Sequence, residues 1–143
     1  MSTQRRLVVV NDDPVQNALI TGALRARGHD VRSFLDAGAA LDAVADTRVD
    51  LFVVDLHMPG IDGWKLCRLL RSPAFARFNV TPILVVSATY TGDDVASITR
   101  DLGANAFLEA PFDAGRLVAH VGELLEGRMP RTRPVVLLAV ADA

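Results

Sequence analysis

Short apolar runs typical of buried strands alternate with segments of helical spacing along most of this 143-residue chain. Five runs rich in β-branched or aromatic residues are predicted strands, and they lie at residues 7–10, 30–34, 49–54, 82–86 and 106–108. Strands that alternate with helices favour a parallel sheet covered by helices on both faces. The order of elements therefore predicts one α/β domain built from five βα units.

Proline and glycine mark the ends of several predicted helices. Pro14 suits the first position of a helix that Gly28 ends, with a predicted apolar stripe of Val15, Leu19, Ala23 and Ala26. Further helices are predicted at 37–45, from about 63, at 95–102 and at 113–125. Right-handed crossovers leave few topologies, and the common five-strand solution is the order 2-1-3-4-5. We therefore expect a flavodoxin-like (βα)5 three-layer sandwich with a parallel five-stranded sheet.

The composition fits a folded, cytoplasmic domain. Half of the residues are apolar, so disorder is disfavoured, and no apolar stretch approaches the roughly 20 residues that cross a bilayer. The one cysteine, Cys67, cannot form an internal disulfide and fits a reducing compartment. A formal charge of −2 gives no electrostatic case for nucleic-acid binding. Membrane and nucleic acid are thus not expected as partners of this domain.

The pattern changes after Gly127. Residues 128–134 are basic and proline-bounded, which is typical of a linker, and residues 135–140 are strand-like. We interpret 5–127 as the domain and 128–143 as a linker and strand-like tail. The tail is the first strand of a truncated further domain, an added edge strand or a homodimer contact, and we favour the first of these.

Carboxylates follow two of the predicted strands. Asp12 follows the first strand and Asp55 ends the third, just before Met58-Pro59-Gly60. In the 2-1-3-4-5 order these strands are neighbours, so the two carboxylates are expected to converge at the edge where open α/β sheets bind ligands. Mg²⁺ prefers oxygen ligands of this kind. We predict a magnesium site with Asp12 and Asp55 as ligands, joined by the His57 backbone carbonyl and, through water, by Asn11 or Asp13.

Asp55 also has the chemistry of a phosphoryl acceptor. An aspartate carboxylate can attack phosphorus and form an acyl phosphate. Ser87 ends the fourth strand, where its hydroxyl could hydrogen-bond a phosphoryl oxygen. Phosphoryl transfer depends mainly on positioning and charge neutralisation, so these groups form a nearly complete site.

Motifs in the same order characterise the receiver domain of bacterial two-component response regulators, which the chain resembles over about residues 5–126. The matching segments are Val-Val-Asn11-Asp12-Asp13-Pro14, Val-Val-Asp55-Leu56-His57-Met58-Pro59-Gly60-Ile61-Asp62-Gly63, Val-Val-Ser87-Ala88 and Gly103-Ala104-Asn105-Ala106-Phe107-Leu108-Glu109-Ala110-Pro111-Phe112. The resemblance implies that Asp55 is the phosphoacceptor and Ser87 and Phe107 are switch residues. The side chains of His57 and Thr89 would tune the lifetime of the phosphate.

Two positions depart from the family pattern. The first acid of the family's acidic pair is Asn11 here, and the lysine that normally pairs with the phosphoryl group is Ala110. A charge-assisted hydrogen bond contributes about 1.5–3 kcal/mol, so its loss would slow phosphorylation or weaken the switch roughly ten- to a hundredfold. Lys65, in the third helix, could approach the pocket, although a solvated position is the simpler expectation.

Two functions follow from the resemblance, neither of them that of an enzyme. In the first, the domain accepts a phosphoryl group from a histidine kinase or phosphotransfer domain, and residues 95–102, the fifth strand and 113–125 form the face toward a downstream protein. In the second, it is a pseudo-receiver that binds proteins independently of phosphorylation. A haloacid-dehalogenase-like phosphatase would need an aspartate where His57 stands. A flavodoxin would need a phosphate loop after the first strand, so both rivals are disfavoured.

Overall fold

The computed structural model describes residues 4–127, which form a five-stranded parallel sheet of order 2-1-3-4-5. The predicted topology is thus confirmed. The strands are β1 (Arg6–Val10), β2 (Asp30–Phe34), β3 (Leu51–Asp55), β4 (Ile83–Ser87) and β5 (Ala106–Glu109). The helices are α1 (Pro14–Arg25), α2 (Ala37–Val44), α3 (Gly63–Leu70), α4 (Asp93–Asp101) and α5 (Ala114–Leu125), and a 3-10 segment, Pro73–Phe78, follows α3. The predicted linker and tail at 128–143 lie outside the described residues.

Two apolar layers, one on each face of the sheet, form the core. One layer packs α2 and α3 against the sheet and includes Phe52, Leu66 and Phe107. The other packs α1 and α5 against the opposite face and includes Ile20 and Leu117. Every residue of β3 and β4 is buried, as expected for central strands covered on both faces. The two central strands therefore hold their last residues, Asp55 and Ser87, in a rigid frame.

Aspartate side chains cap four of the five helices. Asp13, the predicted N-cap of α1, accepts a hydrogen bond from the Val15 backbone N–H at 2.9 Å. Asp36, Asp62 and Asp113 cap α2, α3 and α5 in the same way. These caps satisfy N–H groups that have no partner within the helix.

The predicted apolar stripe of α1 is wrong at three of its four residues, and Ala23 is the one that packs against the core. Val15 and Leu19 are each 69% exposed, and Ala26 is exposed as well. The buried face instead carries Asn17, Ile20, Thr21 and Leu24. The Asn17 side-chain amide donates to the backbone carbonyls of Asn11 and Phe34, each at 3.0 Å, and these bonds set the rotation of the helix about its axis.

Gly63 brings the start of α3 against the end of β3. Its N–H donates to the Leu56 carbonyl at 2.9 Å. A Cβ at this position would lie 2.3 Å from the Asp55 carbonyl oxygen and 2.6 Å from the Leu56 Cα. Only glycine allows this approach without movement of the backbone that carries Asp55.

Arg71, just after α3, ties three segments together. Its guanidinium donates to the carbonyls of Gly103 and Phe78 and to the Asn105 side-chain oxygen, at 2.7–3.1 Å. The Asn105 side-chain oxygen also accepts the Ile83 backbone N–H at 2.9 Å. This arginine therefore links α3 and the 3-10 segment to the turn before β5.

Among residues 4–127, none of the helices has the length and apolar character that a membrane-spanning helix requires.

Candidate functional site

The carboxyl groups of Asp12 and Asp55 meet at the carboxyl edge of the sheet. Strands β1 and β3 pair in register from Leu7 with Leu51 to Val10 with Val54, so the loop after β1 lies beside the end of β3. The negative charge of Asp12 acts on the Asp55 carboxyl group, and the protonated form of Asp55 donates a hydrogen bond to the Asp12 carboxylate. The convergence expected from the strand order is therefore present.

Burial and the neighbouring acid raise the pKa of Asp55. Burial is the larger cause and the negative charge of Asp12 the second, and together they raise this pKa to about 6. The His57 backbone N–H donates to the Asp55 carboxyl group and acts in the opposite direction. The site thus concentrates negative charge that a bound cation would neutralise.

This donor set fits magnesium. Mg²⁺ is usually held by one or two carboxylates with waters and phosphate oxygens, and Asp12 and Asp55 supply two carboxylates. Within residues 4–127 no group of three or more His, Cys, Asp or Glu side chains is placed to hold a metal.

The side chains of Asn11 and Asp13 have structural roles. Asn11 is fully buried. Its amide donates to the Gln16 side-chain oxygen at 2.6 Å, and its own oxygen accepts the Asp13 backbone N–H at 3.0 Å. Asp13 caps α1, as predicted. The hydrogen bonds of the Asn11 side chain fix the loop that carries Asp12. Contact of Asn11 with a metal through water stays a prediction.

Ser87 closes the buried strand β4, one residue past the pairing of Asp55 with Val86. Its side chain is fully buried. Its Oγ accepts the backbone N–H of Tyr90 at 2.9 Å, which leaves the hydroxyl hydrogen available to another acceptor. The residue is thus placed at the same sheet edge as Asp55.

Among the described residues, no lysine or arginine is found to act by charge on the Asp55 carboxyl group. The groups that shift the pKa of Asp55 are Asp12 and His57, whose imidazole acts on the carboxyl group through charge. Lys65 is exposed on α3, in agreement with the solvated position expected for it. Ala110 itself donates its backbone N–H to the Ser87 carbonyl at 2.8 Å, and the Ala110–Pro111 peptide is cis.

The two remaining predicted residues differ in exposure. Phe107 is 6% exposed and packs in the apolar layer beside α2 and α3, while Thr89 is exposed in the loop after β4. Cys67 is fully buried, and burial raises the pKa of its thiol to about 12, which fits the packing role expected of it. The roles of Phe107 and Thr89 stay predictions.

Sequence reasoning missed a group of three aromatic rings beside the site. The rings of Trp64 and Tyr90 lie 5.8 Å apart edge to face, and those of His57 and Tyr90 lie 6.1 Å apart. We call these three residues the ring cluster. They come from the loop after β3, the first turn of α3 and the loop after β4. No local pattern marks them, because only the packing of these loops brings them together.

The sequence matches the family described as "Response regulator receiver domain" over residues 7–122, so the chain belongs to the receiver domains of two-component response regulators. Receiver domains generally bind Mg²⁺ in an acidic pocket, interact with histidine kinases or phosphotransfer proteins, and are not classical enzymes. The suspected family is thereby confirmed, as is the flavodoxin-like fold class.

Named relatives place such domains in larger proteins. DNA-binding response regulator MtrA of Mycolicibacterium smegmatis is 34% identical over 143 residues, which cover 99% of this chain and 59% of MtrA. Sensory/regulatory protein RpfC of Xanthomonas campestris pv. campestris is 30% identical over 138 residues, or 96% of this chain and 19% of RpfC. The chain thus spans about three fifths of MtrA.

Solved structures agree with the fold. A putative response regulator from Chloroflexus aurantiacus has a TM-score of 0.78 and 29% identity, over 87% of this chain and 99% of that one.

Proposed function

We propose that this domain accepts a phosphoryl group on Asp55 from the phosphohistidine of a histidine kinase or phosphotransfer protein. A carboxylate oxygen of Asp55 attacks the phosphorus, the P–N bond breaks with its electron pair going to the donor imidazole, and that nitrogen is protonated from solvent. The product is an acyl phosphate on Asp55. The observation that carries the proposal is the meeting of the Asp12 and Asp55 carboxyl groups at one sheet edge.

The residues around Asp55 have distinct parts in this proposal. Asp12 would hold Mg²⁺ together with Asp55, the His57 backbone carbonyl and, through water, Asn11. Bound Mg²⁺ would supply the positive charge that offsets both carboxylates and the incoming phosphoryl oxygens. The Ser87 hydroxyl would donate to a phosphoryl oxygen, and the exposed side chains of His57 and Thr89 would affect access of water to the acyl phosphate.

An exposed apolar patch beside the site suits a phosphodonor. We define the α1 patch as Val15, Leu19 and Leu35, which are 69%, 69% and 52% exposed. Val15 lies one turn from Asp12, and Leu35 directly follows β2, so the patch borders the same sheet edge as Asp55. Exposed apolar side chains near a site are the kind of surface that a protein partner covers. We assign the α1 patch to the phosphodonor, and α4, β5 and α5 to a downstream partner.

The missing lysine favours a second candidate function. With Ala110 in its place, and no lysine or arginine acting on Asp55 within residues 4–127, the acyl phosphate lacks a compensating side-chain cation. A pseudo-receiver that binds its partner without phosphorylation needs no such cation. We rank it second because Asp12, Asp55 and Ser87 are all retained at the sheet edge.

The proposed unit is residues 5–127, a boundary that the family match over 7–122 supports. Residues 128–143 would connect it to another part of the protein. The whole protein would then act on its target through a segment outside the described residues. A second copy of this chain is a further proposed partner, in a homodimer.

Beryllofluoride with Mg²⁺ mimics an aspartyl phosphate and tests the proposal on the full 143-residue chain. We expect amide chemical shift changes around Asp55 and Ser87 that require both beryllofluoride and Mg²⁺ and are lost in Asp55→Asn. An unresponsive wild-type spectrum at millimolar ligand would reject phosphoryl acceptance and favour the pseudo-receiver. A response that Asp55→Asn retains would place the bound anion elsewhere.

A further inference from the structure

The loop between β4 and α4 is held by two hydrogen bonds that both depend on site-edge residues. The Tyr90 N–H donates to the Ser87 Oγ at 2.9 Å. Two residues later, the Gly92 N–H donates to the Glu109 carboxylate at the end of β5. Gly92 has a φ of 101°, a conformation that favours glycine, and it is the N-cap of α4. The loop therefore has a defined position between Ser87 and α4.

Tyr90 connects the buried serine to the surface. Its backbone is bonded to a fully buried hydroxyl group, while its side chain is 39% exposed. Its ring contacts the rings of Trp64 and His57, which stand on other segments. A displacement of the Ser87 hydroxyl must either carry the Tyr90 N–H with it or leave that N–H without its acceptor, which is unfavourable for a partly buried donor.

Phe107 is poorly placed to transmit a change at Ser87 to the surface. It packs inside the apolar layer at 6% exposure and has no hydroxyl group with which to report on Ser87. Its movement would require a rearrangement of a close-packed layer. Tyr90 can shift within a loop, against two rings that are themselves only partly covered.

We propose that Tyr90 is a positioning residue that transmits the state of Ser87 to the ring cluster, so that the surface formed by His57, Trp64 and Tyr90 changes when Asp55 is phosphorylated. This inference rests on the proposed function of Asp55. It assigns the signalling surface of this chain to the loops after β3 and β4, in addition to the face of α4, β5 and α5. A partner that reads the phosphorylated state would contact these rings.

Trp64 allows a direct test, since it is the one tryptophan of the 143-residue chain. Beryllofluoride and Mg²⁺ are titrated into the full chain, with ¹⁹F NMR to measure bound fluoride and Trp64 emission to follow the ring cluster. We expect the emission change to track bound fluoride, together with a shift of the Tyr90 amide signal. Bound fluoride without either change would overturn the inference and leave the proposed function intact. Absence of bound fluoride would reject the proposed function itself.

Three variants separate the routes of transmission. Tyr90→Phe keeps the ring and the backbone N–H, so the emission change per bound fluoride should persist. Tyr90→Ala removes the ring and should abolish that change, and Phe107→Leu should leave it in place. Tyr90 is exposed enough for both substitutions to fold, which thermal unfolding checks. Retention of the full change in Tyr90→Ala, or its loss in Phe107→Leu alone, would assign transmission to the core instead.

Discussion

The carboxyl group of Asp12 lies against that of Asp55, and its negative charge, added to burial, raises the pKa of Asp55 to about 6. The ordinary pKa of this carboxylic acid is 3.8, so near neutral pH the group is still mostly ionised, but in a buried place beside a second negative charge. The repulsion between the two carboxylates is unfavourable for folding. It favours the binding of a divalent cation, alone or with a phosphoryl group, because the cation removes the repulsion.

Substitution Asp55→Asn should stabilise the fold in metal-free buffer at pH 7.5. The folded-state pKa is raised, so the stability of the wild type is greatest below the unfolded pKa near 4 and is lost as pH rises through about 6. The expected gain is roughly 1–3 kcal/mol, because one pKa unit corresponds to about 1.4 kcal/mol. Urea denaturation with a chelator measures it.

The gain of Asp55→Asn should shrink as pH falls toward 4 and as Mg²⁺ is added to the wild type. Asp46→Asn, which changes an exposed carboxylate, is the matched control and should have little effect. A gain that is independent of pH would show that the Asp12–Asp55 repulsion is not its source.

Ala110→Lys should restore the cation that the family places at this position. We expect phosphorylation by a small-molecule phosphodonor to accelerate roughly ten- to a hundredfold, the range that corresponds to one charge-assisted hydrogen bond. Ala110→Met adds a side chain of similar length without charge and should not accelerate the reaction. An equal acceleration in both variants would show that the length of the side chain, rather than its charge, determines the rate.

Removal of apolar contacts in the α1 patch should slow transfer from a protein donor alone. In Val15→Ser/Leu19→Ser, the rate with a phosphohistidine protein should fall severalfold, while the rate with acetyl phosphate stays unchanged. Val80→Ser is the control, since Val80 is 90% exposed just before β4, at the opposite edge of the sheet. Loss of both rates together would instead indicate damage to the Asp55 site.

Gly63→Ala should destabilise the domain and disturb the Asp55 backbone. The added Cβ would meet backbone atoms of Asp55 and Leu56 at 2.3–2.9 Å, and overpacking of this kind typically costs about 1–3 kcal/mol. Gly122→Ala is a matched glycine substitution within α5 where a Cβ meets nothing within 4 Å. That variant should gain up to about 1 kcal/mol, and equal effects of the two variants would contradict the steric account.

His120 should make stability fall in mild acid. Burial lowers the pKa of this histidine, and its Nε2 has no hydrogen-bond partner among the described residues. Its folded-state pKa is depressed, so its contribution is complete above the unfolded pKa near 6.5 and is lost as pH falls. His120→Leu should therefore lose less stability than the wild type between pH 7.5 and 5, as measured by urea denaturation.

The Arg116 carbonyl lies 2.9 Å from the His120 Nδ1, so His120→Leu removes that hydrogen bond at every pH. The comparison is accordingly made between pH values within each protein. Identical slopes in the two proteins would show that His120 does not titrate on unfolding.

The fold and the central pair of the site follow from local sequence. Apolar runs at strand spacing, Pro14 and Asp13 at a helix start, and carboxylates after two strands are short-range signals. The right-handed crossover rule turns that linear order into a sheet order, and the sheet order brings Asp12 to Asp55. The sequence alone therefore determined which residues meet at the sheet edge.

Tertiary structure alone decided which surfaces are buried and which loops touch. The rotation of α1 depends on hydrogen bonds from Asn17 to two distant carbonyls, so Val15 and Leu19 face outward although their spacing suited a core. Arg71 and the ring cluster likewise join segments far apart in the chain. Periodicity reports only the neighbours within one element, whereas these contacts arise between elements and depend on the packing of the whole domain.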